Sequence, residues 1–345
     1  MIYLKRVTVV LLSIAANAIF SPAASATDLF DPADVAGLQP FANGDVFVGA
    51  TQLNNPEDDH AGRGRILQFD ADLNLKGVLL IEGTTHLING LTIAPDGKLW
   101  AFDLWAWTTV RVTPNGRQLP NLQFAERPFG GVLFADDGTL IFTEALDGDN
   151  QPTTLTTRHP VLPGQTTRLG DGNLYRFTPD GELLASYEPD IHGGVTGSFA
   201  VSHSAWSSDR KSVIYVSETG NRLMRYDVTD GRQLPDIPLT TDRQPQMLFA
   251  LTSMSDERLL ISMANRLELI SESGDELRTY ALEGFGWSVV ALSHDERFAY
   301  VGNWYNGQFG KLGLDDGEFE VLTEVCVKCM ASVTVYSSAV TTHRE

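Results

Sequence analysis

From Ile88 to Phe124 the chain reads INGLTIAPDGKLWAFDLWAWTTVRVTPNGRQLPNLQF. Apolar and polar residues alternate there through four short runs, Gly90–Ala94, Leu99–Phe102, Thr109–Thr113 and Leu119–Phe124. A period of two marks a half-buried strand. Two of the joints are Asp96-Gly97 and Asn115-Gly116, pairs that take the positive φ of a tight hairpin at little cost. The stretch predicts a four-stranded antiparallel meander. One such sheet cannot cover both of its faces, so it needs neighbours of its own kind.

The chain supplies them. Aligned on the first turn stand Asn43-Gly44, Asp96-Gly97, Asp137-Gly138, Asp209-Arg210, Asp256-Glu257 and Asp295-Glu296, each followed by an apolar strand such as KLWAFDL, TLIFTEA or RFAYVGNW. The second turn recurs as Asn115-Gly116, Asp180-Gly181, Asp230-Gly231, Gly274-Asp275 and Asp316-Gly317. A β-sandwich with regular hairpins would not repeat turn and strand in this way. Six copies of one unit predict an all-β, six-bladed β-propeller with four antiparallel strands per blade, seven blades being the alternative. Blade one then takes its first strand from Leu38–Phe41. The β-rich run Ala331–Tyr336, within a tail from 326 to 345, either closes the ring against blade one or opens a seventh blade; six are preferred.

The repeat is stretched at two places, Gln52–Gly64 in blade one and Leu146–Gly172 in blade three, both between second and third strands. In a meander the Asp-Gly turns lie at one end of the sheet, and the middle and blade-to-blade connections at the other. Both insertions therefore fall on the face opposite the tight turns. Long loops on a rigid scaffold are where binding residues gather.

Composition narrows the setting. Lys5 and Arg6, the apolar Val7–Phe20 and Ala24-Ser25-Ala26 read as a cleavable signal over residues 1–26, predicting export to a periplasm or beyond the cell. The remainder, 27–345, is long enough for one propeller domain, and no later stretch is apolar enough to span a membrane as a helix. The formal charge of −19 argues against nucleic acid as a partner. Cys326 and Cys329 are the only cysteines. In an exported chain they suit a disulfide across a turn, with a redox dithiol or a metal site as alternatives. Met330 follows where haem attachment needs histidine, so no haem is expected, and no nucleotide fingerprint is present.

Aligning the second strands puts Ala50, Asp103, Glu144, Glu218, Met263 and Gly302 in one column at the insertion-face end, with Asn303 one place further on. Such carboxylates either cap their own loops or converge as oxygen ligands for calcium or magnesium. On the inner strands the aligned residues are Gly37, Gly90, Gly131, His203, Ala250 and Val289, so His203 interrupts a column of small residues. It is either a structural histidine or a general base, with Glu144 as a second candidate for water activation. Trp105, Trp107, Trp304 and Tyr305 follow the acidic column in loops, and together with His159 in the long insertion they make a candidate wall for an organic ligand. Trp287 reads as packing between blades.

At INGLTIAPDGKLWAFD and SETGNRLMRYD the chain resembles the six-bladed group that includes NHL-repeat, SMP-30/gluconolactonase and strictosidine-synthase-like proteins. Within the SMP-30 pattern an Asn-Gly opening an inner strand supplies a ligand for a channel-bound divalent metal, and Asn89-Gly90 matches it. The resemblance thus implies a lactonase or esterase with Asn89 as a metal ligand, the remaining ligands being some of Asp103, Glu144, Glu218 and Asn303 from the aligned column. Two functions follow. The preferred one is binding of a small organic molecule or protein partner through the loop face, without demonstrated catalysis; the alternative is the metal-dependent hydrolase.

Overall fold

The structure is a computed structural model that describes residues 37–53, 62–84, 87–122, 124–147, 170–194, 199–239 and 246–338. The expected signal segment, Glu57–His60, His86 and His159 lie outside the described residues.

Among these, twenty-three strands form six antiparallel sheets. The innermost strands are β23 (Met330–Val335), β4 (Ile88–Ile93), β7 (Phe129–Phe134), β11 (His203–Trp206), β15 (Ala250–Ser253) and β19 (Trp287–Leu292). Each touches the next in that order, and β19 returns to β23, so the sheets close a ring around a channel. The architecture is a six-bladed β-propeller. At the turn position, Gly44, Gly97, Gly138, Arg210, Glu257 and Glu296 all have positive φ, from 54° to 89°. The turn alignment read in the chain is therefore physical, and three blades tolerate the left-handed conformation without glycine.

Six buried apolar clusters hold the ring together, each made by two neighbouring blades. Trp287 belongs to one of them. It is 1% exposed, its ring edge-on to Phe319 at 4.9 Å, and its indole N–H donates to the Glu283 carbonyl.

Two details differ from the sequence reading. In blade two, the strands β5 (Leu99–Asp103) and β6 (Thr108–Val112) follow β4, but Leu119–Phe124 forms no named strand. The fourth place is taken by isolated bridges from Gln118 to Val112 and from Leu122 to Thr109, since Pro120 interrupts the ladder by lacking an N–H.

The larger correction concerns blade one. Leu38–Phe41 is not its inner strand. Gly37 bridges Val78 on the outer strand β3 (Leu75–Leu80), and the Phe41 amide donates to the Pro114 carbonyl of blade two. The inner place belongs to β23, paired with β1 (Val46–Leu53) from Val46↔Val335 to Ala50↔Met330. The C-terminal strand occupies the channel side, and the N-terminal segment lies at the rim. Just before β23, Cys326 and Cys329 are joined in a disulfide across a turn in which Lys328 has positive φ.

Both insertions open on the face opposite the tight turns. The Gly64 amide donates to Thr84 Oγ1 in the connection from blade one to blade two, and Leu146 bridges Phe199 in the connection from blade three to blade four.

Candidate functional site

The ladders fix which residues share a level at the insertion face. Gly90 faces Phe102, Gly131 faces Thr143, His203 faces Val216, Ala250 faces Ser262, Val289 faces Gly302 and Gly49 faces Ser332. The next residue along each second strand gives the true column: Ala50, Asp103, Glu144, Ser217, Met263 and Asn303. Asn303 joins it, Glu218 and Gly302 leave it, and Ser332 replaces Gly37 on the inner strands. In blade six the cause is one extra residue in the first turn, and the same extra residue in blade four puts Ser217, not Glu218, at this level. The first hairpin closes from Ala94 to Lys98, Ala135 to Thr139 and Met254 to Arg258, but from Ser207 to Ser212 and Ser293 to Phe298 in blades four and six.

Within the column, Asp103 and Asn303 do the same work. Each is buried, and each Oδ1 accepts two backbone amides of its own loop: Trp105 at 2.9 Å and Ala106 at 3.0 Å, Tyr305 at 2.9 Å and Asn306 at 3.3 Å. These are Asx-type turns. Trp107 completes its loop in the left-handed region, at φ 51°.

Glu144 ends β8 (Leu140–Glu144) and is fully buried. Its Oε2 accepts the amides of Asp171 at 3.0 Å and Asn173 at 3.1 Å. Arg127 approaches Oε1 at 3.5 Å, pairs with Asp171 and lies over the Tyr175 ring. Burial pushes the Glu144 carboxyl up to about 7, against the opposing pull of the Asn173 and Asp171 amides and Arg127. Glu144 thus anchors the returning end of the blade-three insertion. Glu218, at φ 61°, sits half-buried with a carboxylate oxygen beside Gly194.

This donor set does not fit a divalent cation. Among the described residues no three His, Cys, Asp or Glu side chains gather as a metal group. Asp103, Asn303 and Glu144 face backbone amides, and Glu218 stands outside their level. Thermal melts in calcium and in chelator are expected to superimpose; a melting temperature raised by calcium would show that these oxygens converge on an ion.

The channel tells a different story. It is a cavity of about 380 Å³ running along the ring axis. Asn89 lines it from a bulge, the residue left over where the β4–β5 ladder steps from Ile88↔Asp103 to Gly90↔Phe102. His203 lines it two blades away. Asn89 Oδ1 and His203 Nδ1 are buried and have no hydrogen-bond partner among the described residues. Burial lowers the His203 pKa to about 4, which leaves the imidazole neutral and too weak a base for proton abstraction near pH 7. His192, half-buried, is shifted down by burial and by Arg222.

Of the aromatic residues singled out in the sequence, Trp105 packs on a small cluster of Leu104, Ala145 and Leu146. Trp304 is half-buried and Tyr305 is 51% exposed. Tyr305 has company that the sequence reading missed. Its ring lies 5.7 Å from Phe285, itself 52% exposed, and Phe285 lies 6.4 Å from Phe249. Phe249 directly precedes the inner strand of blade five and Phe285 stands two residues before that of blade six, so the three rings lie on the insertion face beside the channel.

No family model matches the chain, and no curated protein matches it either. Solved structures do. A protein of unknown function from Bacteroides caccae has a TM-score of 0.55 at 12% identity, over 86% of this chain and 99% of that one. A nidogen/laminin complex gives 0.53 at 14% identity, again over 86% and 99%. A streptogramin B lyase gives 0.50 at 15% identity, over 80% and 86%. At such identities the likeness is one of fold, and function has to be read from the site.

Proposed function

We propose that the protein is an exported propeller that binds an organic ligand or partner through the loop face around its channel, without demonstrated catalysis. The observation that carries this reading is the run Phe249, Phe285 and Tyr305, with two rings about half in solvent at the channel mouth. Aromatic surface left in water beside a cavity is a contact surface. Export is supported by the charged, apolar and small-residue sequence of residues 1–26.

Two features speak against chemistry at this face. Glu144 is covered by the amides it accepts, and among the described residues no group bonds His203 Nδ1 to orient the ring. A metal-dependent lactonase or esterase of the SMP-30 group has the Asn89-Gly90 match in its favour, but the carboxylates beside it are engaged as turn caps and a loop anchor.

The test is a thermal-shift screen of neutral and aromatic compounds, followed by titration of the best binder into a Phe285→Ala/Tyr305→Ala variant. Both rings are about half in solvent, so the variant should melt close to the parent. Its affinity should fall at least about thirtyfold, equivalent to about 2 kcal/mol. Unchanged affinity would reject the aromatic mouth.

A further inference from the structure

Below the aromatic mouth the channel has a chemistry of its own. Every blade contributes a hydroxyl to its lining, from Thr92, Thr143, Ser204, Thr252, Ser293 and Thr334. Among the described residues the lining contains no lysine or arginine, and its one carboxylate, Glu296, is held by the amide and hydroxyl of Ser255. At the mouth end stand two of the buried polar atoms without a partner among the described residues, Asn89 Oδ1 and His203 Nδ1.

Blade three, which separates them, presents glycine. A Cβ added at Gly131 would meet only Thr143 Oγ1, at 3.4 Å, so open space lies beyond it. The volume of about 380 Å³ falls within the range of small-molecule sites.

We propose that the mouth end of the channel is a binding site for an uncharged ligand bearing hydroxyl or amide N–H groups, held between Asn89 and His203. Asn89 Oδ1 can only accept, so the ligand must donate to it. A neutral imidazole nitrogen takes either role, and a hydroxyl or an amide satisfies both residues. An anion would be buried here without a positive partner, against the −19 charge of the chain. The inference stands on the channel residues and not on the three rings above them.

The experiment is saturation-transfer NMR on the full chain with two neutral probes, myo-inositol and N-acetylglycinamide. Inositol monophosphate and N-acetylglycinate are their charged counterparts. At least one neutral probe should give a signal and the anions none, and the responding probe tells polyol from amide chemistry. Asn89→Ala should weaken the neutral probe about tenfold or more, with a melting temperature equal to or above the parent, because its oxygen bonds nothing in the fold. Gly131→Val, extended backbone with room for its branches, should block the site. Phe285→Ala/Tyr305→Ala should leave these small probes unaffected. Silence from both neutral probes, equal binding of the anions, indifference to Gly131→Val, or a lowered melting temperature in Asn89→Ala would each overturn the proposal.

Discussion

A chain shortened by residues 326–345 is expected to lose its cooperative unfolding transition. The deletion removes β23, and with it the ladder along Val46–Ala50, the fully buried Met330 and the contact of the innermost strand with β19. A buried methionine side chain contributes about 2 kcal/mol and each ladder hydrogen bond about 1 kcal/mol. Val46, Val48 and Val289 would also become exposed. The combined loss is of the same order as the net stability of a whole domain, about 5–15 kcal/mol. A gentler probe uses Ser332, whose buried hydroxyl donates to the Ile88 carbonyl at 2.6 Å and ties β23 to blade two. Ser332→Ala should lower stability by about 1–3 kcal/mol in urea unfolding, since a buried carbonyl is left unmade. If the shortened chain melted cooperatively at the parental midpoint, β23 would be an accessory strand and the ring would owe nothing to it.

The second large effect is one of pH. In the folded protein burial raises the Glu144 carboxyl from its ordinary value of 4.5 to about 7. Between those two values the folded state holds a proton that the unfolded state has released. Stability therefore falls as pH rises through this window, by about 3 kcal/mol in all. Glu144→Gln has no such proton to lose. Relative to that variant, the parent should be about 3 kcal/mol more favoured at pH 4.5 than at pH 7.5, which removes the background of other titrating carboxylates by subtraction. Parallel stability curves for the two proteins would show that Glu144 titrates alike folded and unfolded.

The turns made the ring legible in the chain, because a position that demands positive φ restricts its residues strongly and recurs in every blade. Which residues share a level was less legible. A single additional residue between Ser207 and Ser212, or between Ser293 and Phe298, leaves the apolar pattern intact while sliding the strand by one place. In blade six that slip hid Asn303 behind Gly302, whereas Glu218 lies one residue beyond Ser217, an overshoot that the longer turn does not cause. The inner strand of blade one was hidden for another reason. Its partner lies at the other end of the chain, and no local periodicity reports a pairing of Val46 with Val335. Phe249 and Phe285 carried no signal either, since an aromatic residue before a strand is ordinary and exposure is a property of the assembled face. Asn89 and His203 were visible as residue types out of place among glycine and alanine, but their lack of partners emerged only with the cavity around them.

The pairing of β1 with β23 also sets a timetable. Val46 leaves the ribosome long before Val335, and at about 5–20 residues per second the wait is on the order of tens of seconds. Throughout it the flank of β1 awaiting β23 offers unpaired N–H and C=O groups to whatever strand comes near. The nascent protein must be chaperoned, or kept unfolded, until its last residues arrive.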